Sequence, residues 1–136
     1  MRTVPLLVVA FLVLSNFAGA AAGRAESLPP ERVGRVSRVD GAVGLRAAGG
    51  AWSDALLNHP VGTGMSVRTL AAAGAELRIG GDGFALSAAT ELDLAAVDDR
   101  IIQIALRQGR IGIGVARLAA GESVEIDLPQ GGVWLL

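Results

Sequence analysis

From Val33 onward, apolar and polar residues alternate with a period of two through most of the chain. In GAELRIGGDGFALSAATELDL, Ala75, Leu77 and Ile79 alternate with Glu76 and Arg78. Gly80, Gly81, Asp82 and Gly83 interrupt the run, and it resumes at Phe84 and Leu86, then at Leu92 and Leu94 against Glu91 and Asp93. Ile102, Ile104 and Leu106 stand against Gln103 and Arg107; Ile111, Ile113 and Val115 against Gly112, Gly114 and Ala116; Val124, Ile126 and Leu128 against Glu125 and Asp127. A period of two sends alternate side chains to opposite faces of a pleated strand, apolar in and charged out. Strands of this length separated by glycine turns predict an all-β chain folded as an antiparallel sandwich, roll or jelly roll.

The first half reads less cleanly. Val33, Val36 and Val39 lie three apart, yet their β-branched side chains and the following Asp40-Gly41 predict a strand ending in a tight turn. Val43 and Leu45 then mark its expected hairpin partner. Gly49-Gly50 ends that strand, residues 51–64 form a loop-rich crossing, and Met65, Val67 and Thr69 share one side of a short strand. Two stretches have helix-forming composition: Leu70–Leu77, which Gly74 interrupts, and a segment starting at Ser87, where Leu92, Leu94 and Ala96 also fit the strand period.

The N-terminus differs from the rest. Arg2 precedes an apolar run from Val4 to Phe17, and small residues follow. Ala18-Gly19-Ala20 has the small-x-small spacing that a signal peptidase pocket demands, and Ala22 offers a second cleavage point. Residues 1–22 therefore read as a helical export signal, with an uncleaved anchor as the alternative, since the run is only slightly short of the ~20 residues of a membrane span. Residues 23–32, with Pro29-Pro30, read as an extended linker, and 33–136 as the β domain. Periplasmic or secreted localisation follows, with no membrane span once the signal is removed.

Composition narrows the chemistry. The 136 residues carry 12 basic groups, all Arg, against 13 acidic ones and one His, for a net charge of -1. That balance gives no footprint for nucleic acid. With no Cys there is no disulfide, no thiol nucleophile and no lipid attachment point. A phosphate loop of the Walker type needs Lys, which is absent, and Gly112-x-Gly114 has Arg117 where a dinucleotide loop needs its third glycine. Asp82 stands alone among the glycines, with Ala85 where a calcium turn would place a carboxylate. The glycines therefore read as turns and close strand approaches. A lone His59 beside Pro60 cannot build a metal site of His or Cys type or a convincing triad. Paired carboxylates occur at Glu91/Asp93, Asp98/Asp99 and Glu125/Asp127; the first and third pairs lie on strand faces opposite apolar residues and read as solvated faces. No catalytic, cofactor or metal residues are expected, and the chain reads as non-enzymatic. Trp134 alternates with apolar neighbours and is expected in the core. Trp52, between Ala51 and Ser53, is the candidate partner anchor, or else a loop Trp folded over the sheet edge.

Several segments, in order, resemble the FecR-type extracytoplasmic domain. They are Val39-Asp40-Gly41, the Asn58-His59-Pro60-Val61-Gly62-Thr63-Gly64 turn, Arg68-Thr69, Ala75-Glu76-Leu77, Thr90-Glu91-Leu92, and the later strand pair with its Leu128-Pro129-Gln130-Gly131 segment. The resemblance covers most of Arg32 to Val133. It implies a β domain that binds protein partners in the bacterial envelope, such as the signalling domain of an outer-membrane receptor. Met65 replaces the Asp usual after the second turn glycine, and the cytoplasmic segment of signalling members has no counterpart before the apolar run at residue 4. The chain thus resembles exported relatives more than transmembrane regulators. The family's later strands are missing after Leu136, so the domain is expected to be incomplete at its C-terminus. The uncharged ending GGVWLL predicts an open sheet edge, completed by further chain or by another chain's strand. The expected role is an envelope protein-interaction module; a small-ligand or glycan-binding jelly roll is the alternative.

Overall fold

The computed structural model describes residues 32–136. The expected signal segment 1–22 with its candidate cleavage points Ala20 and Ala22, and all of the expected linker but Arg32, lie outside the described residues. Twelve strands and no helix make up the described chain: β1 (Gly34–Asp40), β2 (Val43–Arg46), β3 (Ser53–Asp54), β4 (Pro60–Val61), β5 (Ser66–Thr69), β6 (Gly74–Ile79), β7 (Asp82–Leu86), β8 (Glu91–Val97), β9 (Ile101–Gln108), β10 (Ile111–Gly114), β11 (Ser123–Leu128) and β12 (Gly131–Leu135). The segment after Ser87 is therefore a turn and a strand, β8, since its leucines obey the two-residue period.

The strands form two sheets. One has five strands in the order β10-β7-β6-β1-β4, and the other seven in the order β12-β11-β9-β8-β5-β2-β3. All pairings are antiparallel except β9 with β11, which run parallel from Ile101↔Ser123 to Ala105↔Asp127. One apolar cluster draws on both sheets: Val36, Leu77, Ile79 and Phe84 from the smaller, Val67, Leu92, Leu94 and Ile104 from the larger. Burying such side chains contributes about 1.5–3 kcal/mol each. This cluster is the main source of stability in a chain with no disulfide.

The expected β1–β2 hairpin does not form. β1 pairs with β6 and β4, whereas β2 pairs with β5 and β3, so the Asp40-Gly41 turn carries the chain from one sheet to the other. Val36 of β1 and Val43 of β2 are still buried in the same cluster, one from each sheet. The true hairpins include β6–β7, where Gly80-Gly81 joins Ile79 to its partner Asp82.

Two bulges explain spacings that the two-residue period does not. The β1–β6 register slips between Val36 and Arg38, and Ser37 donates a hydrogen bond to the Glu76 carbonyl at 3.2 Å. One extra residue turns Val36 and Val39, three apart, to the same side. The β8–β9 register slips between Leu94 and Ala96, so Val97 is fully buried and Ala96 is not. Val33 lies before β1 and is exposed.

Trp134 is the clearest departure from the sequence expectation. It is 59% exposed. The β11–β12 register sets it beside Glu125, while Val133 and Leu135 stand opposite the buried Ile126 and Val124. Its alternation with apolar neighbours is real, but it occupies the polar side of the strand. The inward side of β12, at the sheet edge, is itself only partly covered. Likewise Ile113, expected inside, pairs with buried Phe84 but is 37% exposed because β10 is an edge strand.

Candidate functional site

The outward face of the seven-stranded sheet carries a connected group of polar side chains. On β2 the alternation buries Val43 and Leu45 and turns Gly44 and Arg46 outward; on β5 it buries Val67 and Thr69 and turns Arg68 outward. Strand register then aligns Arg46 of β2 with Ser66 of β5, Ser66 with Asp93 of β8, and Asp93 with Ala105 of β9. Residues opposite one another in an antiparallel pair share a face. Four strands thus place one row of side chains side by side.

That row is hydrogen-bonded along its length. Arg46 Nη2 donates to Ser66 Oγ at 3.4 Å, and Ser66 Oγ donates to Asp93 Oδ1 at 2.7 Å. Arg107, two residues beyond Ala105 on β9, donates from Nε to Asp93 Oδ2 at 2.7 Å. Burial would raise the Asp93 carboxyl, but the bonds from Ser66 and Arg107 and the charges of Arg107 and Arg46 hold it below the usual carboxylate range. Asp93 is therefore an acceptor with both oxygens engaged. A groove of about 500 Å³ opens over this row, lined by Arg46, Ser66, Asp93 and Arg107 together with small residues such as Gly64 and Ala105.

Trp52 borders the same face. It precedes β3, the edge strand that pairs with β2. The Arg46 guanidinium carbon lies 4.6 Å from the centroid of its ring and that of Arg68 lies 4.3 Å away. A guanidinium over an aromatic face gains about 0.5–1 kcal/mol at an exposed site. Gly44 makes room for this arrangement: a Cβ there would meet Trp52 Cε3 at 3.3 Å and the Arg68 side chain at 3.2 Å. Trp52 is half-buried, folded against the sheet near its edge. A smaller hollow of about 100 Å³ lies beside it, lined by Gly44, Asp54, Arg68 and Leu70 among others. Among the described residues, neither Arg46 nor Arg68 has a carboxylate within ion-pair distance.

The other singled-out residues serve local structure. Asp82 is buried, and its Oδ1 accepts from the Ala116 amide at 3.0 Å, tying the chain after β10 to the start of β7. Asp98 accepts from the amides of Arg100 and Ile101, closing the β8–β9 turn. Asp127 accepts from Gln103 Nε2 at 2.9 Å across the parallel β9–β11 pair. The His59 carbonyl accepts from the Val36 amide, which fixes the loop ahead of β4 to β1. His59 thus lies next to the five-stranded sheet, whereas Ser66 and Asp93 stand on the seven-stranded one.

Sequence reasoning singled out Trp52 and Asp93 but not the grouping of Arg46, Ser66, Arg68 and Arg107. Those four lie on three strands from 46 to 107, and only the register brings them together. Comparison with known proteins found no matching family model, no matching curated protein and no matching solved structure.

Proposed function

We propose that this protein is an exported, non-enzymatic β domain of FecR-like type that acts as a protein-interaction module in the bacterial envelope. Its two sheets then face one another as a sandwich, a reading supported by the single apolar cluster that draws on both. Export rests on Arg2, the apolar run after it and the Ala18-Gly19-Ala20 spacing.

The observation that carries the proposal is the pair of arginines stacked on Trp52 beside an open groove. Tryptophan and arginine are the side chains most often found at the energetic centre of protein interfaces. Holding two guanidiniums on one ring lowers the entropy lost when a partner docks on them. The partner implied is an envelope protein whose docking surface carries carboxylates or backbone carbonyls to meet Arg46 and Arg68.

The test is capture from periplasmic extract by the wild-type protein, Trp52→Ala and Arg38→Ala. Arg38 lies on the five-stranded sheet. A specific partner retained by wild type and Arg38→Ala but lost with Trp52→Ala supports the reading. Equal retention by all three sinks it. The groove over Ser66 and Asp93 also favours a second reading, a small-ligand or glycan site, because polar groups converge there on a concave surface. A rise in melting temperature with added oligosaccharide, and no protein partner, would favour that alternative.

A further inference from the structure

β12 closes one side of the seven-stranded sheet. It pairs with β11 along Gly131–Leu135, and among the described residues no strand lies on its other side. The remaining edges offer less to a pairing strand: β3 and β4 have two residues each, and β10 has four. Edge strands are usually protected by charge, proline or shortness. From Pro129 to Leu136 the chain has no charged side chain, and Val133, Trp134 and Leu135 are all exposed.

We propose that β12 pairs antiparallel with β12 of a second copy of this chain, about a two-fold axis at Val133. This is the one antiparallel register in which all five residues of both strands pair. It sets Val133 against the second copy's Val133, Trp134 against its Gly132 and Leu135 against its Gly131. Trp134 on one face of the sheet and Leu135 on the other each meet a glycine across the seam. Trp134 already lies over its own Gly132, where a Cβ would stand 3.0 Å from the ring.

Charge selects the same occupant. An acidic or basic partner strand finds no complement on β12, whereas a second copy brings no like charge. The nearest acids, Glu125 and Asp127, are on β11. In the pair, the two β11 strands are three strand spacings apart, about 14 Å. At physiological salt that exceeds the ~8 Å screening length. The interface is isologous, so it closes as a dimer and joins the two seven-stranded sheets into one.

The chain contains no cysteine, so one engineered thiol reports the register directly. Facing Cα atoms in an antiparallel pair stand about 4.5–5.5 Å apart, within disulfide range. Val133→Cys, oxidised under mild conditions, is expected to give a covalent dimer, while Ile113→Cys on the edge strand β10 stays monomeric. By sedimentation the wild-type protein is expected to be dimeric. Val133→Lys, which sets like charges against each other at the axis, is expected to be monomeric with the circular dichroism spectrum unchanged. A wild-type monomer, a Val133→Lys dimer, or cross-linking no greater for Val133→Cys than for Ile113→Cys would each overturn the proposal. None of these results bears on capture at the Trp52 face.

Discussion

Gly109 and Thr90 pack so closely that a methyl group on Gly109 would overlap Thr90 Oγ1 and stand 2.5 Å from its Cα. Thr90 is fully buried, and its hydroxyl accepts from the Arg110 amide at 3.1 Å while its own amide donates to Thr69 Oγ1 at 3.0 Å. The turn from β9 to β10 is thus pinned onto the start of β8. Gly109 also has φ of 89°, in the left-handed region. Gly109→Ala should destabilise by at least about 2 kcal/mol, from overlap added to backbone strain. Gly49→Ala, with φ of 68° but open space around it, should lose only the backbone part, about 1 kcal/mol. Urea midpoints of the two variants check the difference.

Phe84 is the largest of the fully buried side chains. Phe84→Ala removes a ring from the cluster shared by both sheets and leaves a cavity. The expected loss is about 3–5 kcal/mol, a large share of a stability of about 5–15 kcal/mol. Leu57→Ala, at an exposed position, should change stability by less than about 0.5 kcal/mol. Chemical denaturation of both variants tests the contrast.

Asp93 links stability to pH. Its folded pKa lies below the ordinary carboxylate value, so the folded state favours the charged form. The stabilisation is therefore complete above the unfolded pKa of about 3.9 and is lost as pH falls through the folded value. The difference in urea midpoint between wild type and Asp93→Asn should be largest above pH 5 and shrink below pH 4. Arg107→Gln should reduce the same difference by removing one of the bonds that lower the pKa. A difference independent of pH would contradict the role given to this carboxylate.

The stacking at Trp52 can be read as a coupling energy. A double-mutant cycle over Trp52→Ala and Arg68→Ala should give about 0.5–1 kcal/mol in denaturation, and one over Trp52→Ala and Arg46→Ala a similar value. Gly44→Val should weaken both couplings, since a Cβ at that position already reaches Trp52 and Arg68. Additive behaviour of the singles would show that the rings and guanidiniums do not hold one another.

Much of the strand content was legible because the two-residue period holds within each strand. Leu77 and Ile79, Phe84 and Leu86, Ile102 and Ile104, and Val124 and Ile126 all point inward as the alternation requires. What a period cannot specify is the neighbour. Asp40-Gly41 has the composition of a hairpin turn, but Val43 pairs with Thr69, and Val39 with Ala75. A period also loses its phase at a bulge, which is why the spacing of Val36 and Val39 fits no simple period and why Val97 replaces Ala96 in the core. Trp134 faces out against expectation for a related reason: all its neighbours are glycine or apolar, so the phase of β12 has no polar residue to mark it. At the candidate site the residue types were visible, but the row from Arg46 to Asp93 exists only through register.

The parallel seam between β9 and β11 has a consequence for assembly order. A meander could extend this sheet one hairpin at a time. Here the chain leaves β9, lays β10 against β7 in the other sheet, and returns to set β11 beside β9. The final two strands therefore join the sheet only through a long-range contact with β9. Together with the long reach between β1 and β6, this places the protein among slow, high-contact-order folders. Until β11 and β12 dock, the apolar tail of the chain stays uncovered.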